Sequence, residues 1–139
     1  MTTVPASPPP ATGAAPPPAT ALAAGLSGEA VHQVTAEMSP PHLRGILSTS
    51  RMISLIEDTC LDLVQPLLAD GDTTVGTHVD VSHVGSARAG EPVTISVRLL
   101  RVTGRRLLAF EVAVATTAGV ISTGTHQRLV VSRARYAGG

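Results

Sequence analysis

Between residues 48 and 69 the apolar positions recur every three or four residues. Beyond residue 72 they recur every second one. Met52, Ile53, Ile56, Cys60, Leu63, Val64 and Leu67 form a single stripe at helical spacing. Ser48, Thr49 and Ser50 offer capping hydroxyls ahead of the stripe, and Pro66 with Asp70-Gly71-Asp72 interrupts it. The spacing predicts a helix over 48–69. Downstream, Val75, Thr77, Val79, Val81 and His83 alternate with Thr74, Gly76, His78, Asp80 and Ser82. Val93, Ile95, Val97 and Leu99 alternate in the next run, and the turn pairs Thr103-Gly104 and Ala118-Gly119 separate two more runs at 107–117 and 120–132. Long alternating runs joined by tight turns predict an antiparallel meander. Residues 29–38 read as a first strand ended by Ser39-Pro40-Pro41, with 42–47 as loop.

The predicted order is strand, helix, then four long strands. One helix covers only one face of such a sheet, so the economical α+β solution is an antiparallel sheet wrapped around one central helix. The uncovered sheet edge and face suggest that two copies pair, giving a homodimer.

Composition sharpens this picture. Seven of the eleven prolines fall in the first eighteen residues, where missing amide donors prevent any ladder or helix. Residues 1–26 therefore read as a disordered Pro/Ala-rich tail, 27–134 as one domain and 135–139 as a flexible C-terminus. No Lys or Arg precedes Arg44, which favours a cytoplasmic chain over a secretory leader. Ten basic residues, all Arg, balance ten acidic ones, so the basic excess of a nucleic-acid binder is absent. A single Cys excludes an internal disulfide and a Cys-cluster metal site, and no apolar run is long enough to span a membrane.

Several polar residues sit where chemistry could occur. Glu57 lies beside the apolar stripe, with Ile53, Ile56, Cys60 and Val64 as neighbours; a boundary carboxylate and an acid, base or nucleophile are both compatible with that place. His83 shares a strand face with valines, as a packed core histidine or a catalyst would. Thr49 is eight residues before Glu57, about 12 Å along a helix, and reads equally as a helix cap. The two meet only if Thr49 bends back or across a dimer. Asp58 and Asp62 read as solvated, and His78 with Asp80 supplies too few ligands for a metal. No cofactor motif is present.

Four segments in order carry a resemblance. The stretch from Ser48 through Glu57 to Cys60, the run Gly76-Thr77-His78-Val79-Asp80-Val81-Ser82-His83, the turn Thr103-Gly104-Arg105-Arg106-Leu107 and the strand Gly124-Thr125-His126-Gln127-Arg128 together resemble the fluoroacetyl-CoA thioesterase family. The resemblance covers about residues 29–132. It implies the hot-dog fold and a catalytic threonine, glutamate and histidine at Thr49, Glu57 and His83, with intervals of eight and twenty-six residues. It also implies a glycine near the thioester carbonyl at Gly76. The family's characterised member closes its acyl pocket with phenylalanines before the threonine. The corresponding stretch here, Ser39 to Gly45, has no aromatic, and Leu43 takes about that place. An acyl range other than fluoroacetyl is therefore expected.

The expected function is hydrolysis of a small acyl-CoA or related acyl thioester, with coenzyme A as part of the substrate and no separate cofactor. Arg128 is the first candidate for contacting the coenzyme A phosphates and Arg88 the second. Two alternatives share the fold: a non-catalytic module that binds acyl-CoA or acyl carrier protein, and a hydratase acting on an enoyl-CoA.

Overall fold

The structure is a computed structural model and describes residues 22–137. Five strands form one antiparallel sheet: β1 (Ser27–Gln33), β2 (Asp72–Val81), β3 (Pro92–Thr103), β4 (Leu107–Thr116) and β5 (Gly119–Ser132), in the spatial order β1-β3-β4-β5-β2. The long helix α1 (Thr49–Val64) lies in the curve of that sheet and packs on β1, β2, β3 and β4. A short helix α2 (Arg133–Ala137) follows β5.

The alternation of the sequence explains the sheet's two faces. Val93, Ile95, Val97 and Leu99 of β3 and Leu108, Phe110, Val112 and Val114 of β4 point at α1 and are buried. From the helix, Met52, Leu55, Ile56, Thr59, Cys60 and Val64 meet them. Full burial of each such apolar side chain contributes about 1.5–3 kcal/mol. The buried stripe is rotated relative to its prediction: Leu55 and Thr59 are buried, while Ile53 and Leu63 are only half-buried. Thr59 tolerates this because its hydroxyl donates to the Leu55 carbonyl at 2.7 Å.

Four boundaries differ from expectation, each for a local reason. α1 stops at Val64, two residues before Pro66, and a 3-10 turn (Gln65–Leu67) completes the segment. β1 ends at Gln33, and Ala36–Met38 forms a second 3-10 turn, because Val34 turns inward and its amide bonds to the Glu91 carbonyl. β2 carries a bulge between Gly76 and His78, which breaks the even alternation and puts Val75 and Val79 on opposite faces. His83 lies two residues past the end of β2, where Ser82 and Val84 continue the pairing with β5. At the ends, residues 1–21 of the proposed tail and 138–139 lie outside the described residues. Residues 22–26 are part of the fold: Leu22 and Leu26 pack on the core, and Gly25 and Leu26 exchange backbone hydrogen bonds with Leu99.

Two close approaches seal the β2–β5 pair. A side chain at Gly124 would place its Cβ 2.0 Å from the Asp80 carbonyl oxygen and 2.6 Å from Val81 Cα. Backbone on that side has no room to yield. Gly124→Ala is therefore expected to destabilise the chain by on the order of 3 kcal/mol, read as a lower midpoint in urea unfolding. An unchanged midpoint would show that β2 does not pair with β5 in this register.

Candidate active site

The polar residues flagged by the sequence fall into two clusters at different points along α1. Thr49 is the first residue of α1, directly after its cap Ser48, whose hydroxyl accepts from the Arg51 amide at 3.2 Å. The Thr49 hydroxyl is 2.7 Å from His83 Nδ1. His83 reaches it from the segment after β2, where Ser82 and Val84 keep backbone bonds to Thr123 and Ile121. This first cluster is exposed on the threonine side and half-buried on the histidine side.

The second cluster forms two helical turns further on. Glu57 is half-buried and faces the bulged part of β2. A Cβ at Gly76 would lie 3.1 Å from Glu57 Oε2, 3.3 Å from His126 Cε1 and 3.4 Å from Arg128 Nη1. The absent side chain is therefore what leaves these three groups room to converge. Gly76 and Arg128 are cross-strand partners, and so are Thr74 and Val130. This register brings the inward side chains of β5 under those of β2.

Arg128 is 5% exposed. Its Nε donates to Thr74 Oγ1 at 2.7 Å, Nη2 to the Thr74 carbonyl at 3.1 Å and Nη1 to His126 Nε2 at 3.1 Å. Desolvation lowers its proton affinity, and the Glu57 carboxylate works against that loss. Arg128, expected to contact the coenzyme A phosphates, is thus buried, with its guanidinium directed at Thr74 and His126. Arg88 remains exposed, with its amide donating to Glu91 Oε1 at 2.6 Å. Leu43 stands 52% exposed on the loop leading into α1. That loop is pinned by the Leu47 amide to the Ala87 carbonyl, and by the Ser48 amide to the Met38 carbonyl, each at 2.8 Å.

Two members of the second cluster, Thr74 and Cys60, were not weighed for a role in the sequence, and His126 was weighed there without a role. Thr74, Cys60 and His126 line it, and His126 is fully buried. Their signal lay in parity: His126, Arg128 and Val130 occupy every second position of β5, so two polar residues share the buried face. Only the pairing of β5 with β2 shows what they face. Asp58 and Asp62 are exposed, as read from the helix. Among the described residues no group of three or more His, Cys, Asp or Glu side chains is placed to hold a metal ion.

Cys60 is buried under Glu57 and Arg128, and burial pushes its thiol up to about 12, with Glu57 adding to the rise and Arg128 opposing it. The native thiol is expected to resist an aromatic disulfide reagent at mildly alkaline pH and to react fully after unfolding. Rapid labelling of the native chain would contradict its placement.

Comparison with known proteins bears on the family and the fold. The family model described as "Fluoroacetyl-CoA-specific thioesterase" matches residues 30–134. A fluoroacetyl-CoA thioesterase of Streptantibioticus cattleyicolor is 31% identical over 91 residues, covering 66% of this chain and 65% of the relative, just under two thirds of its length. A solved structure of the fluoroacetyl-CoA thioesterase FlK superposes with a TM-score of 0.79 at 24% identity, covering 84% of this chain and 93% of that one. A hot-dog-like protein from Thermanaerovibrio acidaminovorans superposes with a TM-score of 0.73 at 23% identity, over 78% of this chain and 83% of that one. These two likenesses establish the hot-dog fold. With the family model spanning β1 to α2, the chain belongs to the fluoroacetyl-CoA-specific thioesterase family.

Proposed function

We propose that this protein hydrolyses a small acyl-CoA or related acyl thioester, at sites assembled where two copies of the chain meet. The observation that carries this reading is the division of the three expected residues. Thr49 holds His83 at 2.7 Å, whereas Glu57 sits beside Gly76 and Arg128. Eight residues of helix separate Thr49 from Glu57, about 12 Å of rise. One chain thus supplies two halves of a site, spaced along α1.

The edge strand offers a way to join them. β2 is the last strand of the sheet, and among the described residues one side of its backbone has no strand partner. An isologous, antiparallel pairing of β2 with the same strand of a second copy is centred on one point. Centred between Val79 and Asp80, it sets Gly76 of one copy opposite residue 83 of the other. The Glu57 cluster of each chain then faces the Thr49–His83 pair of its mate. The exposed run Thr77–Asp80 supplies the contact.

In such a site the carbonyl carbon of the thioester sits against Glu57, with the Gly76 backbone close by because no side chain intervenes. Glu57 acts as nucleophile, displacing the thiolate and forming an anhydride that water then cleaves, or as the base that deprotonates the attacking water. His83 transfers the proton that the leaving thiolate requires. Thr49 orients the His83 ring through Nδ1, and Arg128 steadies the carboxylate from behind. Leu43 borders the acyl group at the mouth. With a leucine there in place of aromatics, an acyl range broader than fluoroacetyl follows. The proposed dimer forms in the cytoplasm, with acyl-CoA as substrate. A module that binds acyl-CoA without cleaving it would show saturable binding and no thiol release.

Two measurements test this. Glu57→Gln and His83→Ala chains, each inactive alone, are expected to regain roughly a quarter of wild-type thiol release when unfolded together and refolded. Half of the dimers are then mixed, each with one intact site. No recovery in a verified mixed dimer would place the whole site within one chain and overturn the split. Gly76→Ala is expected to lower kcat by about 10- to 100-fold, because its Cβ displaces the carboxylate. Wild-type kcat in that variant would remove Gly76 and its neighbours from the reaction.

A further inference from the structure

We propose that His126, fixed in its neutral Nδ1–H form, is the positioning residue that turns the Arg128 guanidinium toward Glu57. The inference rests on the reading of Glu57 above, since Glu57 is the group being served.

The tautomer follows from the partners. His126 Nδ1 lies 2.7 Å from the His78 carbonyl oxygen, which can only accept, so Nδ1 carries hydrogen. His126 Nε2 lies 3.1 Å from Arg128 Nη1, which can only donate, so Nε2 carries none. Both ring nitrogens are thereby committed. The ring is fully buried and stacks on Phe110 at a centroid distance of 6.4 Å and 27° between planes. An imidazolium here would set one N–H against another.

The surroundings oppose that charge. Burial lowers the proton affinity of His126, and Arg128 on β5 and His78 on β2 act in the same direction. Glu57 on α1 and the His78 carbonyl act against them. Cys60 and Asp58 on α1 complete the titratable groups around the guanidinium.

The guanidinium has five N–H donors. Thr74 holds Nε and Nη2, on one flank of the fork. His126 alone, among the described residues, holds Nη1. Nη1 is also the nitrogen beside the vacant Cβ position of Gly76, 3.4 Å away, where Glu57 Oε2 lies at 3.1 Å. Without His126 the flank facing Glu57 has no anchor, and the fork can tilt about its two bonds to Thr74. His126 thus does for Arg128 what an outer partner does for a ligating side chain: it sets orientation without touching substrate.

The test uses the full chain. With nitrogen-15-labelled histidine, two-bond N–H correlation spectra are expected to show one ring, absent in His126→Gln, that has Nδ1 protonated and Nε2 bare. That ring should persist as the pH falls below 6.5, the ordinary value for histidine. An imidazolium or an Nε2–H ring at neutral pH would overturn the proposal. In thiol release from an acyl-CoA panel, His126→Leu is expected to lower kcat by about 100-fold with KM within about threefold. His126→Gln keeps an acceptor for Nη1 and is expected to recover at least about tenfold of that loss. Equal losses in the two variants, or a loss carried by KM, would assign His126 a merely structural role. If Glu57→Gln keeps wild-type turnover, the reading of Glu57 fails by itself, whatever the spectra show.

Discussion

A guanidinium taken out of water must find hydrogen-bond acceptors and a counter-charge, and Arg128 finds them within one small volume. Thr74, His126 and Glu57 meet those needs from three different elements, β2, β5 and α1. Leaving such a charge unpartnered would cost several kcal/mol. The register of β5 on β2, the rotation of α1 in the sheet and the bulge at Gly76 are therefore linked by one requirement. The apolar core alone would tolerate some slippage of these parts, because valines and leucines pack in many arrangements. A fork with fixed directions does not. The network gives the interior a unique geometry next to a half-buried carboxylate, Glu57, at the margin of that interior.

Much of the fold was legible because its signals are local. The change of period from three-four to two near residue 72, the Gly-containing turns and the caps around Ser48 identified every long element. The family resemblance rested on segments that lie on α1, on β2 with the turn after it, on the β3–β4 turn and on β5. What stayed hidden is what only pairing reveals. The bulge between Gly76 and His78 shifts the parity of β2, so Val75 and Val79, which simple alternation put on one face, lie on opposite faces. Arg128 looked like a surface cation because nothing in its own strand shows that Thr74 and His126 would enclose it. Conversely, Thr49 and His83 are thirty-four residues apart, and their contact at 2.7 Å was suggested only by likeness to a family. Chain-distant contacts depend on topology, and composition carries no record of them.

In the proposed reading, the loop before α1 bears on selectivity. Aromatic side chains form rigid, bulky walls, whereas an exposed leucine such as Leu43 forms a small and mobile one. The loop itself is well anchored, by its bonds to Met38 and Ala87 and by the bridge between Ile46 and Arg88. In the proposed site its frame is thus held in place while its reach toward the acyl group is short. Differences in acyl preference between members of this fold can arise in this way without any change to the carboxylate, the imidazole or the sheet beneath them.

The anchoring of Leu22, Gly25 and Leu26 has a practical corollary. These residues fasten the start of the described chain to Leu99, on the flank of β3 beside β1. β1 and β2 are opposite margins of the sheet. A fluorophore or surface tether attached at residue 22 joins the body at the margin remote from β2. Attachment at residue 22 therefore lies away from the β2 margin proposed to pair, whereas attachment near Val79 would block that margin.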